Sequence, residues 1–79
     1  MSRGFVFERV GIVGLGLIGG SLARALRRLD HGPRIVAFNR HREDAERALA
    51  DGVIDAVAPT AVEAVEGQDL VVYATPLDV

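Results

Sequence analysis

The stretch Val10-Gly11-Ile12-Val13-Gly14-Leu15-Gly16-Leu17-Ile18-Gly19-Gly20-Ser21-Leu22-Ala23 decides the fold of this chain. Its opening residues are rich in valine and isoleucine and end in glycine, which predicts a short buried strand over residues 8–14. From Leu17 onward the apolar residues change to a helical spacing, and the breakers over residues 30–33 end that helix. A strand, a glycine turn and a helix are therefore predicted in direct succession.

Three glycines of this stretch, Gly14, Gly16 and Gly19, have the spacing G-x-G-x-x-G. Between a strand and a helix, this spacing is typical of a turn that holds the pyrophosphate of a dinucleotide. Gly14 permits the sharp turn, Gly16 lets the phosphates approach the backbone, and Gly19 lets the helix pack close to the sheet. We expect the backbone N–H groups of Leu17 and Ile18 to face the phosphates at the positive end of the helix. A glycine-rich turn without a ligand is the alternative.

Two further glycines of the stretch fall outside that spacing. We expect Gly11 to permit close packing within the sheet. We expect Gly20 to tighten the contact between the helix and the strand.

The remaining sequence repeats the alternation of strand and helix. Apolar strands are predicted over residues 34–38 and 70–74, and a brief one over residues 54–58. A helix over residues 43–51 has acids in its first turn and stops at Gly52. Another helix is predicted from Thr60 to Gly67, because Thr60 and Glu63 have the spacing of a capping box.

This order of elements predicts an α/β fold. The strands are too apolar to face water on either side, so we expect a parallel sheet covered by helices on both faces. Right-handed crossovers give the strand order 3-2-1-4 of a Rossmann-type sheet. Because the last strand would begin the second half of such a sheet, we expect residues 1–79 to be an incomplete nucleotide-binding domain, either a fragment or part of a split enzyme.

The residues after the second strand bear on the choice of nicotinamide cofactor. An NAD enzyme usually places an acid about 20 residues past the glycines, where it binds the ribose 2′-hydroxyl. This chain has Asn39 there, followed by Arg40, with His41 and Arg42 close behind. An uncharged amide does not repel a 2′-phosphate, a guanidinium pairs with it, and His41 could add a donor, so NADP is favoured over NAD. In the alternative, the arginines are solvated and Asn39 bonds a plain ribose.

The composition is that of an ordinary soluble globular protein, with 49% hydrophobic and 25% charged residues. A net charge of −2 gives no reason to expect nucleic acid or an acidic membrane as a partner. The absence of cysteine excludes disulfides, cysteine-ligated zinc and thiol nucleophiles, and we predict no metal site. The uncharged run over residues 10–23 is shorter than the roughly 20 residues of a membrane span. We expect no targeting segment and a cytoplasmic protein.

The run from Val10 to Ala23 closely resembles the opening of prephenate/arogenate dehydrogenases, and its Leu-Ile-Gly-Gly-Ser-Leu-Ala part is more specific than the generic glycine spacing. Residues 48–55 and 64–76 fit the same family, so the resemblance covers nearly the whole chain from Val10 onward. Members oxidatively decarboxylate prephenate or arogenate in tyrosine biosynthesis, a branch of aromatic amino acid biosynthesis, and pass a hydride to NAD(P)+. The resemblance implies that this chain is the cofactor-binding portion of such an oxidoreductase.

The same resemblance implies roles for particular residues. Thr75 and Pro76 match the loop that lines the nicotinamide side of the cleft, which makes them cofactor contacts. Neither His31 nor His41 matches the family's catalytic histidine, so we predict no catalytic residue here and no activity for the chain alone. The substrate would be held by a helical domain that this chain lacks, in a full-length homodimer. Many members have Asp where this chain has Asn39, which puts an NAD assignment in doubt.

Two other functions remain open at this point. Hydroxyisobutyrate, 6-phosphogluconate and pyrroline-carboxylate enzymes share this opening, and an Asn-Arg pair after the second strand suits the NADP-dependent ones. The run from Gly19 to Ala23 argues against them. A non-catalytic nucleotide-binding module is the remaining alternative, and the abrupt end after Pro76 argues against it.

Overall fold

Strands and helices alternate along the whole of the described chain. The computed structural model describes residues 8–29 and 32–74. In chain order the elements are β1 Arg9–Val13, α1 Leu17–Arg27, β2 Arg34–Phe38, α2 Arg42–Ala50, β3 Ala56–Val57, α3 Ala61–Val65 and β4 Leu70–Tyr73. Every predicted element is present, but β3 has two residues instead of five, and α2 begins one residue early. None of the helices in the described ranges has the length and apolarity to cross a membrane.

The four strands form one parallel sheet in the order β3-β2-β1-β4, as predicted. Ile12 of β1 lies opposite Ala37 of β2 on one side and opposite Val72 of β4 on the other. Because all strands run the same way, their carboxyl ends meet at one edge of the sheet. The glycine turn after β1 and the Asn39–His41 connection after β2 therefore lie side by side.

Helices cover both faces of this sheet, which confirms the predicted layers. Val10, Ile12 and Ile35 are fully buried on one face, together with Ala23 of α1. On the other face Val13 packs with buried residues around α3. The side chains alternate between the faces along each strand, as they must in a sheet buried on both sides.

Gly11 permits close packing between β1 and α3, whereas we expected it to permit close packing within the sheet. A Cβ at Gly11 would overlap the carbonyl oxygen of Ala64 in α3 and would lie 2.9 Å from Gln68 Cγ. The missing side chain therefore lets α3 rest directly on β1. The expectation for Gly20 was wrong, because a Cβ there would meet only Leu15 O at 3.7 Å, an ordinary contact.

Two aspartates fix the register of the neighbouring strands at the opposite edge of the sheet. Asp55 Oδ2 accepts from Ile35 N at 2.7 Å and from Arg27 Nη2 at 3.0 Å, and its own N–H donates to Ile35 O at 2.8 Å. Asp69 exchanges the same pair of bonds with Arg9, at 2.9 and 2.8 Å. Burial raises the pKa of the Asp55 carboxyl, but the Ile35 N–H and the Arg27 guanidinium outweigh it and hold that pKa below its ordinary value.

Candidate functional site

The candidate site begins where β1 ends, at Gly14. Its φ of 99° lies in the left-handed region, which a residue with a side chain adopts only at a cost. Its N–H donates to Phe38 O at 2.8 Å, which holds the turn against the end of β2. The sharp turn predicted for Gly14 is therefore present, and it directs the chain toward α1.

Gly16 and Gly19 belong to the same motif but have opposite surroundings. A Cβ built on Gly19 would overlap the carbonyl oxygen of Gly14 and would lie 3.1 Å from Ala74 Cβ. A Cβ built on Gly16 would meet nothing within 4 Å. Packing therefore requires a bare Gly19, while the space above Gly16 is open among the described residues.

The backbone amides that open α1 lie at this open position. Gly16 is the N-cap of α1, and the helix starts at Leu17 with no acidic side chain in its first turn. Gly20 N donates to Gly16 O at 2.8 Å and closes that turn. The amides of Leu17 and Ile18 precede this bond, and N–H groups at that position of a helix point outward along its axis with a partial positive charge. Such amides bind anions.

Asn39 ties the glycine turn to the connection between β2 and α2. Its Oδ1 accepts from Leu15 N at 2.8 Å, and its Nδ2 donates to His41 O at 2.8 Å. The same Nδ2 lies 3.5 Å from Asp44 Oδ2. Sequence reasoning gave Asn39 a contact with the ribose, whereas the structure gives its side chain three partners within the protein.

A cavity of about 230 Å³ opens at this edge of the sheet. Of the predicted cofactor contacts, Gly14, Gly16, Asn39 and Arg40 line it, and Arg40 is exposed. A neighbouring cavity of about 490 Å³ extends between α1 and α2. The two share Gly16, so the open glycine lies between them.

His41, the further donor considered beside Arg40, also lines the first cavity. Three more lining residues were not assigned to the cofactor from the sequence: Leu15, Asp44 and Ala74. Asp44 could have been found from its place in the first turn of α2, since a helix that begins right after β2 keeps its first turn near the sheet edge. The Leu15 amide had no such signal, because its partner Asn39 is 24 residues away.

Other predicted residues fall outside what the structure describes. Thr75 and Pro76, the expected nicotinamide contacts, lie beyond the described ranges, as does His31. His41 is exposed at the N-cap of α2. Within residues 8–29 and 32–74, no group of three or more His, Asp or Glu side chains could hold a metal ion.

Known proteins resemble this chain over most of its length. The family model described as NADP oxidoreductase, coenzyme F420-dependent, matches residues 9–79. The chain belongs to this family. It is also 40% identical over 67 residues to prephenate dehydrogenase of Bacillus subtilis (strain 168), an alignment that covers 85% of this chain.

A solved structure shares the fold of this oxidoreductase family member. The crystal structure of prephenate dehydrogenase from A. aeolicus, in complex with hydroxyphenyl propionate and NAD+, matches 94% of the chain with a TM-score of 0.81 and 28% identity. The resemblance to prephenate dehydrogenases that the run from Val10 to Ala23 predicted is therefore confirmed. The chain spans 18% of the Bacillus subtilis protein and 26% of the A. aeolicus chain.

Proposed function

We propose that this chain binds a nicotinamide dinucleotide, with the pyrophosphate lying over Gly16 against the amides of Leu17 and Ile18. The single observation that carries this proposal is the contrast between Gly19, whose hydrogen is packed against protein, and Gly16, whose hydrogen faces open space. A binding turn needs bare backbone on its ligand side, whereas a turn that serves only packing does not. The α1 amides and the adjoining cavity fit a diphosphate in charge and position.

We further propose that NADP is preferred over NAD. Position 39 carries an amide in place of a carboxylate, and the exposed Arg40 lines the cavity next to it. A guanidinium there would pair with the 2′-phosphate that distinguishes NADP. The family description names NADP, while the solved relative holds NAD+. The dinucleotide class is therefore common to both comparisons, and the preference within that class depends on Arg40.

We also propose that the chain is the nucleotide-binding part of a prephenate or arogenate dehydrogenase. In such a reaction the bound nicotinamide accepts the hydride. This chain would fix the position of that ring by holding the pyrophosphate, with Thr75 and Pro76 on the nicotinamide side. A helical domain outside this chain would hold the substrate and supply the catalytic groups, in a homodimer that we place in the cytoplasm. The two named prephenate dehydrogenases support this assignment.

The binding proposal is tested by calorimetric titration of the purified chain with NADP and with NAD. Wild type should bind both, and NADP more tightly. Arg40→Ala should weaken NADP by about five- to tenfold, the range for one charge-assisted contact at an exposed position, and should change NAD little. Arg42→Ala is the matched control, because Arg42 is paired with Glu46 at 2.9 Å and does not line the cavity. The preference fails if NAD binds as tightly as NADP.

A further inference from the structure

A second carboxylate position faces the candidate cofactor site. Asp44 lies in the first turn of α2 and lines both cavities, including the one that Arg40 lines. Its Oδ2 is 3.5 Å from Asn39 Nδ2, so the charge lies next to the residue at the usual ribose-binding position. Glu43, the other acid of that turn, lines neither cavity.

The surroundings of Asn39 explain why an amide is found there. Leu15 N needs an acceptor on one side of the side chain, and His41 O needs a donor on the other. An amide supplies both, whereas a carboxylate has acceptors only. An aspartate at position 39 would also face the Asp44 carboxylate across 3.5 Å, and two like charges at that distance repel. The charge that position 39 cannot hold is therefore present five residues later.

Resting on the proposed binding of a nicotinamide dinucleotide, we propose that Asp44 is a specificity-determining residue for the cofactor ribose. Its carboxylate accepts a hydrogen bond from a ribose 2′-hydroxyl and repels a 2′-phosphate. Arg40 attracts that phosphate, so the two side chains act in opposite directions on one group of the ligand. Asn39 is a positioning residue that holds the Leu15 amide and, through it, the glycine turn.

The first test is Asp44→Asn, titrated with NADP and NAD against wild type. Because Asp44 is exposed, removing its charge should tighten NADP about twofold, and losing the charged acceptor should weaken NAD about twofold, effects small enough for Arg40 to outweigh Asp44 in wild type. Glu43→Gln is the matched control, since it removes the same charge from the same helical turn outside the cavities, and it should leave the ratio of the two dissociation constants unchanged. An unchanged ratio in Asp44→Asn, or an equal change in Glu43→Gln, overturns the inference.

The outcomes also separate this inference from the proposed function. Binding of neither dinucleotide to wild type removes both. Binding of both, with a ratio that does not respond to Asp44→Asn, removes only the role of Asp44.

The second test exchanges the two side chains. In Asn39→Asp, the Leu15 amide proton should exchange with solvent faster than in wild type, because repulsion from the Asp44 carboxylate and from His41 O displaces its acceptor. Adding Asp44→Asn to that variant removes the repulsion between the carboxylates and supplies a donor opposite the new one, so exchange should be slower than in the single variant, while the unfavourable contact with His41 O remains. Equal protection in the single and double variants would show that Asn39 and Asp44 are not coupled.

Discussion

Gly16→Ala should weaken dinucleotide binding and leave the free energy of unfolding nearly unchanged. Among the described residues the new methyl group would meet no atom within 4 Å other than those of its chain neighbours, and the backbone at Gly16, with φ −66° and ψ −163°, is extended. The substitution therefore adds one carbon atom to the space that we assign to the pyrophosphate, and it does not disturb the packing of the described residues.

The expected change in stability is small because two effects nearly cancel. Alanine is a poorer N-cap than glycine, which costs about 1 kcal/mol. Replacing glycine also reduces the freedom of the unfolded chain, which stabilises the protein by roughly 0.4–1 kcal/mol. The free energy of unfolding of Gly16→Ala should thus lie within about 0.5 kcal/mol of wild type.

The expected change in binding is large. The methyl group keeps the phosphates from the amides of Leu17 and Ile18, and a hydrogen bond to a charged group contributes about 1.5–3 kcal/mol. Losing one or two such bonds, about 3 kcal/mol, raises the dissociation constant more than a hundredfold, or roughly two powers of ten. Both NADP and NAD should be affected alike, since they share the pyrophosphate.

Urea unfolding measures the change in stability, and calorimetric titration measures the change in the two dissociation constants. Gly20→Ala is the control, because its methyl group would make only an ordinary contact with Leu15 O at 3.7 Å. Inside helix α1, alanine should stabilise the protein by about 1 kcal/mol relative to glycine and leave binding unchanged. The reasoning is refuted if Gly16→Ala binds both dinucleotides like wild type, or if it unfolds several kcal/mol more easily.

Two further predictions concern the packing at Gly19 and the charge of Asp55. Gly19→Ala should lower the free energy of unfolding by about 2–3 kcal/mol, because its methyl group would overlap the Gly14 carbonyl oxygen. Thermal melts measure this, and an unchanged melting temperature would contradict it. Since the pKa of Asp55 in the folded protein is lowered from 3.8, its carboxylate stabilises the fold above pH 3.8 and loses that contribution as the pH falls through the lower folded value. At neutral pH the free energy of unfolding of wild type should therefore exceed that of Asp55→Asn, and this difference should shrink below pH 3.8. Thermal melts of both proteins across that pH range measure it, and a difference that stays constant would exclude the ionised carboxylate as its source.

The strand order and the layers could be predicted from sequence because their causes are local. The apolar runs identify strands, the glycine spacing identifies the turn, and the handedness of crossovers then leaves one order of strands. The short β3 was harder to bound. It pairs only with β2, at Val36 and Ala37, so a single neighbouring strand determines where its pairing ends.

The inner side of the candidate site could not be predicted in the same way. Asn39 lies directly after β2, as predicted, but its partners depend on the distance between loops that are adjacent only in the folded sheet. Gly11 likewise needed knowledge of α3, whose carbonyl at Ala64 fills the space a side chain would take. Sequence spacing predicts which residues reach the sheet edge, but not which of their atoms are already bonded there.

The three glycines of the motif differ in whether the fold itself requires them, and this difference bears on function. Sequence alone treats Gly14, Gly16 and Gly19 as one fingerprint, and any of them could be explained by packing. In the structure, the backbone conformation of Gly14 and the close contact at Gly19 account for two of the three glycines without a ligand. Nothing in the described protein accounts for Gly16, whose missing side chain leaves open space beside the first amides of α1. A glycine that the fold does not require, placed where a helix offers N–H groups to an anion, is the part of the motif that argues for a bound diphosphate.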